Sequence, residues 1–179
     1  VLKNMTVSES CGKWYVSIQV ETAIKEKKVP SSKGKAIGID LGISKTVALS
    51  NGTVLQGAKS FKNNRNKLTK EQRKLAKKTK FSNNWKKQKA KIARLHKRIA
   101  DIRLDRNHWM STKLTREFTE IYSEDLRIKN QTKSAKGTLE KPGKMVKQKS
   151  GLNREILDKA WGELCRQLDY KSKWANGVY

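Results

Sequence analysis

The chain has 179 residues, of which 35% are hydrophobic, and 42 Lys and Arg against 16 Asp and Glu give it a net charge of +26. Self-repulsion on that scale destabilises a compact fold unless a polyanion neutralises it, so the charge predicts nucleic acid as the main partner. No apolar run approaches the roughly 20 residues that span a bilayer, which argues against a membrane protein. Cys11 and Cys165 lie far apart and outside any CxxC pair, which predicts neither a zinc site nor a disulfide framework.

The first predicted element is a β-hairpin over residues 3–21. Met5 and Val7 alternate with polar neighbours, the apolar residues 14, 16, 18 and 20 alternate on the return strand, and residues 10–13 make the connection. Residues 25–35 combine charge with Pro, Gly and two serines, and therefore predict a linker. We expect residues 1–24 to be a hairpin of a preceding β-domain.

A second group of strands follows the linker. AIGIDLG, residues 36–42, is a nearly continuous apolar run with one acid, Asp40, and is typical of a central strand buried on both faces. TVALS (46–50) and TVLQG (53–57) are joined by Asn51-Gly52, which favours a type I′ hairpin turn because that turn needs two positive φ angles.

After residue 57 the apolar period changes from two to about 3.6, which predicts two helices over 66–79 and 84–118 with a break near 81–83. The second helix has an apolar stripe, which consists of Ile92, Leu95, Ile99 and Ile102. We expect Trp85 and Trp109 to pack in the core, although stacking on nucleobases is the alternative for both.

The basic helical segment is the candidate nucleic-acid-binding surface, because residues 59–106 contain nineteen Lys or Arg and three acids. On a helix pair this charge extends over several turns and suits contacts with a phosphate backbone. The candidate binding residues are Lys74, Lys77, Lys78, Lys86, Lys87, Lys89, Lys91, Arg94, Lys97, Arg98, Arg103 and Arg106.

The last part of the chain predicts a short strand over 120–126, a flexible basic loop over 129–150 and a final amphipathic helix. Asn153 is the expected N-cap of that helix, and its apolar positions are Leu157, Trp161, Leu164 and Leu168. The predicted order of elements is three strands, helices, a further strand and a helix. This order is typical of the first part of an RNase H-like α/β fold with a mixed sheet.

Asp40 and Glu124 are the candidate catalytic and metal-binding residues, because each lies at the end of a predicted strand. If the two strands are adjacent, both carboxylates converge at one edge of the sheet, and such oxygen ligands bind Mg²⁺ or Mn²⁺. Two such ions can activate water and stabilise the leaving oxygen in phosphodiester cleavage. The alternatives are a turn-capping aspartate before Gly42 and an ordinary surface glutamate.

Four segments resemble, in order, a known family. Residues 38–52 (GIDLGISKTVALSNG) closely resemble the first RuvC motif of TnpB-type (OrfB) transposon proteins. Residues 93–114 resemble the basic helix of this family, and residues 120–130 resemble its second RuvC motif. Residues 157–177 are similar to the segment that follows that motif. The hairpin 3–21 is similar to the strand pair that precedes RuvC in this family. The resemblance covers essentially the whole chain, and the four motifs in sequence are specific.

The resemblance implies a prokaryotic cytosolic, nucleoid-associated RNA-guided DNA endonuclease whose partners are DNA and guide RNA. Asp40 and Glu124 carry over as its first two metal-binding acids. The family's zinc ribbon and third catalytic aspartate have no counterpart before Tyr179, and Asp158, Glu163 and Asp169 do not match that third acid. We therefore expect a truncated chain without zinc, in which 36–179 is a partial RuvC domain with basic helices over 59–118.

We expect this chain alone to bind nucleic acid without cleaving it, and to need a C-terminal segment or a second polypeptide for activity. Two alternatives remain open. One is a binding-only remnant or repressor-like relative, and the other is a fragment of an actin or heat-shock-type ATPase, which also uses GIDLG-like openings. ATP binding in the absence of nucleic acid favours the ATPase.

Overall fold

The computed structural model describes residues 2–21 and 35–179. The described residues divide into two compact units: residues 2–21 with 62–101 form the first, and residues 35–61 with 102–179 form the second. The predicted linker over 25–35 lies outside the described residues except for Lys35. No helix among the described residues is long and apolar enough to span a membrane.

Eleven strands and helices occur in the described parts of the chain. They are β1 (Leu2–Ser10), β2 (Lys13–Val20), β3 (Ala36–Asp40), β4 (Val47–Leu49), β5 (Val54–Leu55), α1 (Ser60–Ala76), α2 (Asn83–Glu117), β6 (Glu120–Ser123), α3 (Ile128–Gln131), α4 (Val146–Lys159) and α5 (Trp161–Trp174).

In the first unit, β1 and β2 form the predicted antiparallel hairpin, which is thereby confirmed. Its two-residue turn consists of Cys11 (φ 56°) and Gly12 (φ 83°), and two positive φ angles match the right-handed twist of the strands that they join. Val7 pairs with Val16 and Met5 with Ile18, so the apolar side chains share one face of the hairpin.

Also in the first unit, α1 and the first part of α2 form the predicted helix pair, although α1 begins six residues earlier than expected, at Ser60. Ile92, Leu95 and Ile99 are buried as predicted. Ile102 is 38% exposed, so its assignment to the apolar stripe was wrong.

Between the two helices lies Glu71, which is buried on α1. Its carboxylate accepts a hydrogen bond from Gln88 Nε2 at 2.8 Å and lies 3.1 Å from Lys91 Nζ, both on α2. The Gln88 hydrogen bond, together with that from Lys91, lowers the pKa of Glu71 to about 2. A helix pair this basic is therefore joined by one buried acid.

The second unit contains a four-stranded mixed sheet with the order β5-β4-β3-β6. Strand β3 pairs antiparallel with β4 and parallel with β6, in a register that places Ile37 beside Ile121 and Ile39 beside Ser123. The predicted mixed α/β class, with a small mixed sheet and helices, is confirmed.

Only one face of this sheet is packed. Ile37, Ile39 and Leu49 point into a core to which α2, α4 and α5 also contribute, among others, Leu114 and Leu164. The alternate positions of β3 are exposed or half-buried, since they carry a small residue, a glycine and an acid. The prediction that β3 is buried on both faces was wrong, because its second face has no cover among the described residues.

The turn between β4 and β5 also differs from the prediction. Gly52 has a φ of 84°, but Asn51 is not among the residues with positive φ, so a type I′ turn is absent here. Instead, Gly52 N–H donates to Leu49 O at 2.9 Å and Leu49 N–H donates to Thr53 O at 2.8 Å, which closes a three-residue loop. The side chain of Asn51 accepts from Thr53 N–H at 3.0 Å, which stabilises this loop.

The predicted final helix is in fact two helices. Ala160, with a φ of 51°, separates α4 from α5, and Asn153 lies within α4, where its side chain donates to Thr132 O at 2.8 Å instead of capping a helix. Leu157 is 56% exposed, which contradicts its core assignment. The other three apolar positions of the predicted stripe, Trp161, Leu164 and Leu168, are buried as expected.

The predicted flexible loop over 129–150 contains regular structure. It overlaps α3 and the start of α4, and Gly137 and Pro142 form an isolated antiparallel bridge. Lys149 Nζ donates to Gln131 O at 2.6 Å, which ties the two ends of this segment together. The strand predicted over 120–126 ends at Ser123.

Candidate metal centre and nucleic-acid interface

Asp40 is the last residue of β3, on the face of the sheet that carries no core side chains. The chain then turns sharply, because Gly42 N–H donates to Lys45 O at 3.1 Å. A Cβ on Gly42 would lie 2.9 Å from that same oxygen, so the turn requires a glycine two residues after the acid. Asp40 is exposed, and within the described residues it forms no ion pair.

Glu124 follows directly after β6 and is exposed. The parallel pairing runs from Ala36 beside Glu120 to Ile39 beside Ser123, so Asp40 and Glu124 are the next two positions in the same register. Neighbouring strands lie about 4.8 Å apart. Both acids line one open depression of about 370 Å³ at the carboxyl ends of the two strands.

The surroundings of the two acids are polar. Ser50, Tyr122 and Ser123 also line the depression. The Tyr122 hydroxyl donates to Glu120 Oε2 at 3.0 Å, and this hydrogen bond to a carboxylate raises the pKa of Tyr122. Across the described ranges, no group of three or more His, Cys, Asp or Glu side chains is placed to hold a metal. The donor set at this position therefore consists of two carboxylates.

The C-terminal residues pack beside β6. Ile121 N–H donates to Val178 O at 2.9 Å, and Val178 forms a parallel bridge with Glu120. The Tyr179 hydroxyl lies 2.9 Å from Ser123 Oγ, and burial raises the pKa of Tyr179 to about 12, with a hydrogen bond to Cys165 as the next cause. These contacts stabilise the strand that precedes Glu124, and the sequence contained no signal for them.

Asp158, Glu163 and Asp169, which do not match the family's third catalytic acid, all form contacts with other parts of the chain. Asp158 lies in α4, not in the last helix, and accepts from Ser60 Oγ at 2.7 Å and Phe61 N–H at 3.0 Å, so it caps the start of α1. Glu163 pairs with Arg166 at 2.7 Å, which lowers its pKa, and Asp169 pairs with Lys173 at 2.8 Å.

The candidate basic residues differ in whether an acid already neutralises them. Four of them form ion pairs: Lys74 and Lys91 with Glu71, Lys97 with Asp101, and Arg103 with Asp158. Ion pairs are absent, in the described ranges, from Lys77, Lys78, Lys86, Lys87, Lys89, Arg94, Arg98 and Arg106. The first seven of these eight belong to the first unit.

Sequence reasoning missed part of the basic surface on α1. Arg65, Lys70, Arg73, Lys74 and Lys77 line one open depression of about 600 Å³ along this helix. Arg65, Lys70, Arg73 and Lys77 follow one another at intervals of three to five residues, and this helical spacing is a signal that the sequence did contain. The candidate residues began at Lys74 and therefore omitted the first three.

Trp109 contradicts the expectation that it packs in the core, because it is 46% exposed on α2. The Arg106 guanidinium lies 4.1 Å from its ring centroid and donates through Nε to Gln56 O at 2.7 Å. Trp85 is half-buried, and Lys89 Nζ lies 5.1 Å from its ring centroid. Both indoles therefore lie beside cations on a basic helix.

The two acids at the ends of adjacent parallel strands and the basic helix pair are features that suit a protein that binds nucleic acid. Residues 6–135 match the family model OrfB_IS605, which is described as "Probable transposase". This match covers well over half of the chain. The chain therefore belongs to the OrfB family of transposases, which confirms the resemblance found in the sequence.

Two curated relatives extend the match along the chain. It is 50% identical over 177 residues to a protein of Escherichia coli (strain K12) named "Putative RNA-guided DNA endonuclease InsQ", covering 99% of this chain and 44% of the relative. The chain is also 37% identical over 171 residues to a protein of Streptomyces pristinaespiralis named "Putative RNA-guided DNA endonuclease". This match covers 95% of this chain and 38% of the relative. The chain thus spans less than half the length of these relatives.

Proposed function

We propose that this chain is the part of an RNA-guided DNA endonuclease that supplies two metal-binding acids and a basic nucleic-acid-binding surface. In this proposal, residues 36–179 form a partial RNase H-like (RuvC) domain with basic helices over 59–118, and residues 1–24 belong to a preceding β-domain. The observation that carries the proposal is the adjacent parallel pairing of β3 and β6, which places Asp40 and Glu124 at the same end of the sheet.

The two acids fit a hard divalent cation. Both side chains are exposed, neither forms an ion pair within the described residues, and carboxylate oxygens are the ligands that Mg²⁺ and Mn²⁺ prefer. A cation held there would polarise the scissile phosphate and lower the pKa of attacking water. Asp40 and Glu124 would hold it, and their mutual repulsion would decrease on binding.

The proposed partners are DNA and guide RNA, as the names of the two relatives suggest. The unpaired lysines and arginines of the first unit would contact phosphates without reading sequence. Two carboxylates are fewer than two-metal hydrolysis needs. We therefore propose that cleavage requires a further segment, in cis or as a second polypeptide, and that this chain alone binds without cutting.

A thermal melt with Mn²⁺ tests the proposed metal site. An ion that binds only the native state raises the Tm, so Mn²⁺ should stabilise the wild type. Asp40→Asn should abolish this stabilisation and Glu124→Gln should reduce it. Asp105→Asn is the matched control, since Asp105 is an exposed acid on α2. Equal stabilisation of all four proteins would show that Asp40 and Glu124 share no site.

A binding-only protein is the second candidate function, and the observation that favours it is the absence of a third metal-ligating side chain in the described residues. In that case Mn²⁺ would leave all the melts unchanged while nucleic-acid binding persisted. Family membership weighs against the ATPase interpretation, because the matched family is one of transposases.

A further inference from the structure

The turn between α1 and α2 lies in a strongly basic stretch of the first unit. Residues 77–89 contain six lysines and no acid: Lys77, Lys78, Lys80, Lys86, Lys87 and Lys89. The same thirteen residues contain two aromatic side chains, Phe81 and Trp85. A solvated surface usually mixes both signs of charge and excludes large aromatic rings, so this combination needs an explanation.

The turn is held in one conformation by local hydrogen bonds. Ser82 Oγ donates to Thr79 O at 2.8 Å and accepts from Trp85 N–H at 3.2 Å, which caps the start of α2. Lys78 N–H donates to Leu75 O at 3.0 Å, which closes the end of α1. The side chains that this turn carries are therefore presented in a defined direction.

Phe81 is the outermost aromatic residue of this turn. It is 73% exposed, and its φ of 64° is in the left-handed region, which is unfavourable for a bulky residue. Neither core packing nor backbone preference accounts for a phenylalanine here, because asparagine or glycine would fit the backbone better. Such an outlier indicates that the ring serves another purpose.

Trp85 supports Phe81 from the first turn of α2. The ring centroids are 5.5 Å apart with an interplanar angle of 52°, and Lys89 Nζ lies 5.1 Å from the Trp85 centroid. This contact leaves most of the Phe81 ring accessible, while the lysines around it are suited to phosphates. Proteins that bind single-stranded nucleic acid combine aromatic rings that stack on the bases with cations that contact the phosphate backbone.

We propose that Phe81 stacks on an unpaired nucleobase of a single-stranded stretch of nucleic acid, while lysines of residues 77–89 contact the flanking phosphates. This inference rests on the proposed nucleic-acid binding and adds a base-dependent contact to it. Stacking is sequence-tolerant because every base has a π-face, so the site would take any unpaired base.

The test uses the full chain and fluorescence anisotropy with labelled oligothymidine and oligouridine of about 12 nucleotides, within the usual size of such sites. A DNA oligomer of the same length without bases carries the same phosphates as the oligothymidine. Phe81→Asn removes the ring and keeps a residue that tolerates a positive φ. We expect roughly a fivefold to hundredfold loss of affinity for at least one base-containing strand, and little change for the abasic strand.

Two further variants separate stacking from folding. Phe81→Tyr keeps a ring and should retain wild-type affinity, and Trp174→Ala removes an aromatic residue that is 68% exposed on α5 and should change nothing. An equal loss on all three strands, or no loss on either base-containing strand, would overturn the stacking proposal and leave phosphate binding intact. If the wild type binds none of the strands, the proposed function itself fails, and the inference fails with it.

Discussion

The acidic end of the sheet and the basic helix pair differ in how the chain builds them. Asp40 and Glu124 are 84 positions apart in the sequence, and only the parallel register of β3 and β6 brings them to one depression. The basic surface, by contrast, is a property of consecutive residues, since nineteen cations lie between positions 59 and 106. The acidic end of the sheet depends on the exact positions of two carboxylates, whereas the basic helix pair depends on the density of positive charge.

This difference predicts different responses to mutation. A site made of two carboxylates should lose much or all of its metal binding when one is removed, because no neighbouring acid replaces the missing ligand. A surface made of many cations should weaken gradually, because each phosphate contact contributes separately. Single substitutions therefore suffice at the sheet end, whereas groups of substitutions are needed on the helices.

The largest expected effect concerns cleavage. We expect this chain alone to bind DNA without cutting it, and metal-dependent cleavage to appear when the remaining C-terminal part of a relative is supplied in cis or as a second chain. In that complemented protein, Asp40→Asn should abolish cleavage and leave binding intact, whereas Asp105→Asn should alter neither. A nuclease assay with Mg²⁺ or Mn²⁺ measures cleavage, and a binding assay in parallel measures affinity. Cleavage by the present chain alone, abolished in Asp40→Asn, would contradict the proposal that a further acid is required.

The second effect concerns salt. If the helices bind about six to ten phosphates, affinity for duplex DNA should fall by roughly three to five decades between about 50 and 200 mM salt. Removing one lysine that binds a phosphate should decrease the slope by about 0.9, so Lys86→Gln with Lys87→Gln should decrease it by nearly two. The same change at Lys113 and Lys173, which already pair with Glu117 and Asp169, is the control and should have a smaller effect. A slope that is the same in both double variants would locate the phosphate-binding residues elsewhere.

The third prediction tests the scaffold that positions the sheet end. Leu164 on α5 is fully buried, and Leu164→Ala should lower the free energy of unfolding by about 2–5 kcal/mol. Leu157 on α4 is 56% exposed, and Leu157→Ala should cost less than about 0.5 kcal/mol. Denaturant unfolding of both variants measures the difference. Equal costs would favour the single continuous helix that the sequence predicted.

Local patterns in the sequence predicted most of the strands and helices. Some of the breaks and caps between them were not predicted from the sequence. The apolar spacing of Trp161, Leu164 and Leu168 identified the core face of α5 because helix periodicity is a local property. The left-handed Ala160 escaped notice, since an alanine carries no turn signal. The cap that Asp158 provides for α1 joins residues 98 positions apart, and no single sequence shows such a pairing.

The sequence predicted the two candidate acids but not their surroundings. An acid within AIGIDLG was conspicuous, and its position at a strand end followed from the pattern. The sequence suggested that β3 was covered on both faces because Ala36 and Gly38 count as apolar, although such small residues also suit an open face. Tyr179, which packs against Ser123, lies beyond any motif and became apparent only from the structure.

The smallest expected effect concerns the one buried acid of the basic helix pair. The pKa of Glu71 is lowered to about 2 by the hydrogen bond from Gln88 and that from Lys91, so the folded state favours its charged form. A lowered pKa contributes stability above the unfolded value of 4.5, and that contribution decreases as the pH falls towards 2. Glu71→Gln should therefore lower the Tm at pH 7, and the difference from wild type should vanish near pH 2. Melts of Asp105→Asn across the same range are the control, and a Glu71→Gln difference that is constant with pH would show that the carboxylate charge is not what stabilises the pair.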